Sequence, residues 1–353
     1  MRKPFDLMDQ MGRFAADRKL SLTAPEAKDV FAEHVRQSTG MGLADQALLH
    51  GQRTEAMFEA LLVSLGRFKL LTPEDGGRVF PEGEFLAPDF RVVLADGRQW
   101  LIEVKNVYEA DAFGQRRSLM NRAYHDKLAA YASATRGELK LAVFWARWSV
   151  WTLVSPERLM NADGDLELDM AKAMTVDELG ALGDMTIGTR APFRFRLAAD
   201  PARTKPIGPD GETTVVFSAS QLFSEDREIT DPVELEIAWT LIQHGEWVEQ
   251  EPTPIVDGDN LLAMEFSWAP REDDEGKGFG FIGRLSRIFA RYYAAHTLEE
   301  GSVIQLRAPL RPNWFTPLHE HDHQSKALPL WRFTLQPNYG GATDAPPPPG
   351  EID

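Results

Sequence analysis

Asp89, Glu103 and Lys105 are the residues in this chain whose types and spacing could do chemistry together. Two carboxylates beside one lysine suit a hard divalent cation such as Mg²⁺, which takes oxygen ligands and keeps several waters. The backbone carbonyl of Val104 is placed to add another ligand. A cation held there would neutralise phosphate charge and polarise a water; the lysine could orient or deprotonate that water, or stabilise a pentavalent phosphorus. The chemistry this implies is attack on a phosphodiester.

Such a set needs a scaffold, and the surrounding sequence supplies one. Pro88–Leu94 and Gln99–Lys105 are two strand-like runs, separated by Asp96-Gly97, a dipeptide that tolerates the positive φ of tight hairpins. Alternation along the second run points Glu103 and Lys105 one way and Trp100, Ile102 and Val104 to the core. The hairpin turn then brings Asp89 within reach of Glu103. Upstream, Met57, Phe58, Leu61, Leu62 and Leu65 recur at helical spacing over Gln52–Phe68, a helix that carries Glu55. Downstream, a helix is expected over Ser118–Thr135, ended by Gly137. A buried strand follows over Leu139–Trp145 and another over Ser149–Val154. The order helix, hairpin, helix, strand is that of an α/β unit with its sheet covered by helices on at least one face.

The combination of Pro88-Asp89, Glu103-Val104-Lys105 and the helical Glu55 resembles the PD-(D/E)XK nuclease superfamily, whose restriction-endonuclease-like fold serves restriction enzymes, junction resolvases and recombination-linked exonucleases. The resemblance covers roughly residues 50–155. It implies a Mg²⁺-dependent nuclease, with Mn²⁺ as substitute, acting most naturally on DNA. Asp89 and Glu103 match the metal-binding carboxylates, Lys105 the catalytic lysine and Glu55 the helical glutamate that completes the metal site. Lys127 and Tyr131 fall on the helix that carries a glutamine and a tyrosine in the RecB-like branch, except that lysine replaces the glutamine. A restriction, antiviral defence, mobile-element or repair setting would suit such an enzyme. Cutting both strands would suit a homodimer or a partner protein. The alternative is a non-catalytic interaction or DNA-mimic protein that keeps the fold as a scaffold.

Other residues are candidates for holding nucleic acid. Arg116, Arg117 and Arg122 follow the second strand, where a loop could meet the phosphate backbone, and His125, Lys127 and Tyr131 could flank the scissile phosphate. Arg284, Arg287 and Arg291 form a basic stripe on a later helix; they could meet phosphates, though internal pairing with nearby acids is the expected reading. Gly278–Gly283 spells a dinucleotide fingerprint but lacks a strand ahead of it, so a flexible loop entering that helix is expected. His319, His321 and His323 would share one face of an extended chain and could hold zinc or nickel, yet a surface loop is the simpler expectation.

Composition sets the bounds. The 353 residues exceed what one core usually serves, and 43% hydrophobic content with 26% charged residues is ordinary for a globular protein. No apolar run approaches a membrane span, no secretory leader is evident in MRKPFDLMDQMGRF, and the absence of cysteine removes disulfides and thiolate sites; a cytoplasmic protein is expected. The net charge of -16 argues against general coating of nucleic acid, but it is unevenly spread. Residues 1–44 carry 7 basic against 6 acidic residues, 45–155 carry 14 against 14, and 156–353 carry 17 against 34. The division this suggests is a helical segment over 1–48, a nuclease domain over 49–155, an acidic α+β domain over 156–340 and a proline-rich flexible tail over 341–353. In the acidic part, Asp231-Pro232 should start a helix reaching His244. Strand-like runs stand at Thr213–Phe217, Leu261–Trp268, Val303–Leu306 and Trp331–Leu335.

Overall fold

The structure, a computed structural model, describes residues 7–74, 83–114, 118–271 and 278–340. The chain begins with α1 (Leu7–Asp17) and α2 (Ala27–Ala44). No side-chain cap bond from Glu26 starts α2, and the helix runs through Gly40 and Gly42. Next comes α3 (Gln46–Leu65), which starts earlier than expected because Asp45 caps it, its side chain accepting from the Leu48 N–H. Gly66 ends it with φ of 68°, a left-handed conformation natural to glycine.

A five-stranded sheet is built from β1 (Leu70–Pro73), β2 (Phe90–Val93), β3 (Gln99–Val107), then, after α4 (Arg122–Ala134), β4 (Glu138–Trp145) and β5 (Val150–Val154), in that spatial order. The turn between β2 and β3 depends on Gly97, whose φ of 93° a side chain would oppose. Strands β3 and β4 are parallel, and α4 is the crossover that parallel neighbours require. Trp100, Ile102 and Val104 of β3 pack with Met57, Phe58 and Leu61 of α3, while Leu101 and Val107 pack with Leu128 and Ala132 of α4. Both faces of the sheet are therefore covered.

The remaining chain is mixed. It holds α5 (Met170–Thr175), β6 (Thr186–Thr189), β7 (Phe193–Ala199), β8 (Phe217–Ser224), β9 (Arg227–Ile229), α6 (Pro232–His244), β10 (Val248–Glu249), β11 (Thr253–Asp257) and β12 (Asn260–Ala269). After these come β13 (Gly280–Arg284), α7 (Leu285–Thr297), β14 (Leu298–Glu299), β15 (Ser302–Val303), α8 (Thr316–Glu320) and β16 (Leu330–Phe333). A second sheet runs β10-β12-β7-β8-β9 with β11 on β12, and a third runs β13-β6-β16. As anticipated, Asp231 caps α6, taking the N–H groups of Val233 and Glu234. The run at Thr213–Phe217 is a connection up to Val216, its backbone tied to Asp200 and Lys205. The expected glycine-rich loop is instead strand β13, paired with β6 and leading straight into α7.

Charge changes at Ser155; packing does not. The core around α3 extends through Trp151 and Leu153 of β5 into Ile288, Phe289 and Tyr292 of α7. A buried ionic cluster reinforces this junction. The Arg284 guanidinium bridges Asp184 and, at 2.7 Å, Asp177. Asp177 also accepts from the N–H groups of Leu153 and Leu179, and Asp184 caps α7 through the N–H and hydroxyl of Ser286. Among the described residues no helix is long and apolar enough to cross a membrane. The proline-rich segment 341–353 lies outside the described residues.

Candidate active site

The β2–β3 register decides what meets what. Phe90 stands opposite Ile102, so Asp89, one position before the strand, falls beside Glu103. The Asp89 carboxylate accepts the Val104 N–H at 2.7 Å. Glu103 is 5% exposed, and one of its oxygens accepts from both Lys105 Nζ and the Tyr124 hydroxyl, each at 2.6 Å. Lys105 Nζ lies 3.3 Å from the same hydroxyl. Glu55, on α3, is near enough to raise the proton affinity of Asp89 and lines a cavity of about 290 Å³ with it. Lys105 and Tyr124 line a separate recess, and Glu103, which repels Asp89 and binds Lys105, connects the two.

The electrostatics follow from these positions. Burial, then the charge of Glu103 and a smaller push from Glu55, outweigh the Val104 N–H and Lys105 and lift the Asp89 pKa to about 8. Burial alone would lower that of Lys105, but Glu103 and Tyr124 hold it above the ordinary lysine value. Tyr124 is pushed up to about 12 by burial and by its bond to Glu103. At neutral pH the arrangement therefore has a protonated Asp89, a cationic Lys105 and a neutral Tyr124. Such a Lys105 is a donor and a positive charge, not a base.

The donor set suits a hard cation in its chemistry, because a buried Asp89 pressed by the charges of Glu103 and Glu55 is relieved by positive charge. Its geometry is not a finished cage. Among the described residues no group of three or more histidine, aspartate or glutamate side chains is arranged to hold a metal ion as it stands. Glu103 would have to exchange its lysine contact for a metal.

Tyr124 is the residue that sequence reasoning missed. Lys127 and Tyr131 were favoured on the same helix, but Lys127 pairs with Glu84 at 2.8 Å and the Tyr131 hydroxyl donates to Glu74 at 2.5 Å, which in turn binds Arg91. The reason is direction. Helix α4 runs back along β3, so its first turn meets the Lys105 end, whereas Tyr131 lies about 10 Å further along the axis, at 1.5 Å per residue. Position in the crossover was the available signal.

The other candidates divide clearly. Arg122 is exposed at the start of α4, and Arg116 and Arg117 lie outside the described residues. His125 is half-buried, with Nδ1 3.3 Å from Asp126. The Arg284, Arg287 and Arg291 stripe is engaged internally: Arg284 is in the buried cluster, Arg287 pairs with Glu246 at 3.0 Å, and Arg291 donates to the Gly245 carbonyl. The histidines do not converge. His319 lies on α8 and bonds to the Gly183 carbonyl, His321 bonds to that of Leu328, and His323 is exposed beside Asp322.

No family model and no curated protein matches the chain. Among solved structures, Hjc, a Holliday junction resolvase from the archaeal hyperthermophile Archaeoglobus fulgidus, aligns with 34% of this chain and 89% of its own, at 20% identity and a TM-score of 0.27. A likeness of that size carries no argument, and the site is read from its own residues.

Proposed function

We propose that the protein is a divalent-metal-dependent nuclease acting on DNA, with Asp89, Glu103 and the Val104 carbonyl as the residues that would hold Mg²⁺ and Glu55 in support. The observation that carries this reading is the convergence, at one end of the β2–β3 hairpin, of Asp89 and Glu103 with the lysine between Glu103 and Tyr124. When bound, Mg²⁺ supplies charge neutralisation at phosphate and a more acidic water.

The chain's own residues do the rest. Lys105, kept protonated by Glu103 and Tyr124, donates toward a phosphoryl oxygen as negative charge develops there. Tyr124 fixes the Glu103 carboxylate in orientation. Asp89 gives up its proton once positive charge is present, since burial and the repulsion of Glu103 and Glu55 are what retain it.

Incubation of the full chain with supercoiled plasmid and with single-stranded DNA tests the proposal. Mg²⁺ or Mn²⁺ should allow cleavage, and a chelator should stop it. No cleavage of either DNA with either metal would favour the scaffold reading. That reading draws its support from the ion-paired state of Glu103 and from the lack of a closed three-carboxylate set among the described residues.

A further inference from the structure

The cavity beside Asp89 is lined by three acids, Glu55, Glu59 and Asp89, and by one cation from far along the chain, Arg307. Glu55 and Glu59 are one turn apart on α3 and so share a face. Arg307 belongs to the segment between β15 and α8, in the acidic part of the protein, and reaches Glu59 at 2.8 Å. Its side chain is 53% exposed. An ion pair this open to solvent contributes little to stability, so stability gives a weak reason for an arginine here.

The backbone around Arg307 is held more firmly than its side chain. The buried Tyr293 hydroxyl donates to the Leu306 carbonyl at 2.7 Å and accepts from the Ala308 N–H, bracketing Arg307 on both sides. Ala308 is buried, and the Tyr292 hydroxyl donates to the Pro309 carbonyl at 3.0 Å. Further on, Asn313 and Phe315 donate backbone N–H groups to the Val63 and Ser64 carbonyls at the end of α3. The segment is thus fastened to the helix that carries Glu55, and the half-exposed Arg307 guanidinium extends from it to Glu59 beside the cavity.

We infer that Arg307 is a substrate-binding residue of the active site, which grips a DNA phosphate flanking the scissile one. This rests on the nuclease reading and extends it: the acidic part of the chain would complete the site. Arginine suits the task because its planar fork binds phosphate oxygens in pairs and stays charged. Glu59 would hold the guanidinium in place until phosphate exchanges for it.

The test is steady-state cleavage of a short fluorescent DNA duplex by the full chain with Mg²⁺ at several salt concentrations, comparing wild type with Arg307→Ala, Arg307→Lys, Glu59→Gln and Asp89→Asn. Arg307→Ala should raise KM roughly tenfold with little change in kcat, and the salt dependence of kcat/KM should lose about one phosphate contact. Arg307→Lys should recover part of the KM, and Glu59→Gln should not raise it. Arg307→Ala matching wild type in KM and salt dependence, while Asp89→Asn is inactive, overturns the inference alone. Asp89→Asn cleaving as fast as wild type overturns the nuclease reading itself.

Discussion

Asp89→Asn should lower the rate of Mg²⁺-dependent DNA cleavage by roughly 10³-fold or more, and the same change should make the metal-free protein more stable at pH 8 to 9. Both effects have one cause. Asp89 is half-buried beside Glu103 and within the field of Glu55, which lifts its pKa to about 8 in the folded chain. Unfolded, it titrates near the ordinary aspartate value of 3.8. Between those values the folded state binds the extra proton, so this group's contribution makes stability fall as pH rises from about 4 to about 8 and level off above. Asparagine carries no charge to be repelled and removes that slope. Thermal unfolding in chelator, for both proteins across that pH range, reads the stability effect; plasmid nicking reads the activity. Lys105→Ala should also lower cleavage by roughly 10²–10³-fold, since the positive charge next to Glu103 is lost. An Asp89→Asn protein that is inactive yet no more stable than wild type at pH 9 would contradict the electrostatic part of this account.

Arg284→Ala should cost about 3–5 kcal/mol of folding stability, because it leaves buried Asp177 and Asp184 without their shared cation. Burial favours the neutral form of Asp177, and Arg284 opposes that effect. Burial acts against the charged guanidinium too, but the two aspartates outweigh it and keep Arg284 above the ordinary arginine value. The cluster also ties β5, the turn at Leu179 and the start of α7 together, so its loss should be felt across the junction between the neutral and acidic parts. Urea unfolding measures this directly. A variant with Arg284→Ala, Asp177→Asn and Asp184→Asn together should recover part of the loss, since no unpaired charge remains buried. A single Arg284→Ala change within about 1 kcal/mol of wild type would show that solvent reaches the cluster.

What the sequence revealed was local. The hairpin was legible because two alternating runs flank Asp96-Gly97, and counting back from that turn places Asp89 beside Glu103. Helix α3 was legible from apolar periodicity and strand β4 from its nearly continuous apolar run. Strand β1 was not: four residues ending in proline carry little pattern, and proline is admitted there because the strand is at the sheet's edge. The Gly278–Gly283 run misled in the other direction. Gly280 and Gly283 accommodate close packing in β13, where a Cβ on Gly280 would come 2.8 Å from Pro270. Arg284 and Arg307 find partners 107 and 248 positions away, a separation at which spacing says nothing. Tyr124 is intermediate, since the helix was visible but not which of its turns would meet Lys105.

Diffraction from crystals soaked in Mn²⁺, with the anomalous signal used to locate the ion, shows whether Asp89 and Glu103 hold a metal. A single strong site is expected at the end of the β2–β3 hairpin, with carboxylate oxygens of both Asp89 and Glu103 at roughly the 2.0–2.6 Å that hard cations keep, and with the lysine contact of Glu103 exchanged for the metal. Mn²⁺ bound elsewhere, or absent while Lys105 stays on Glu103, would contradict it.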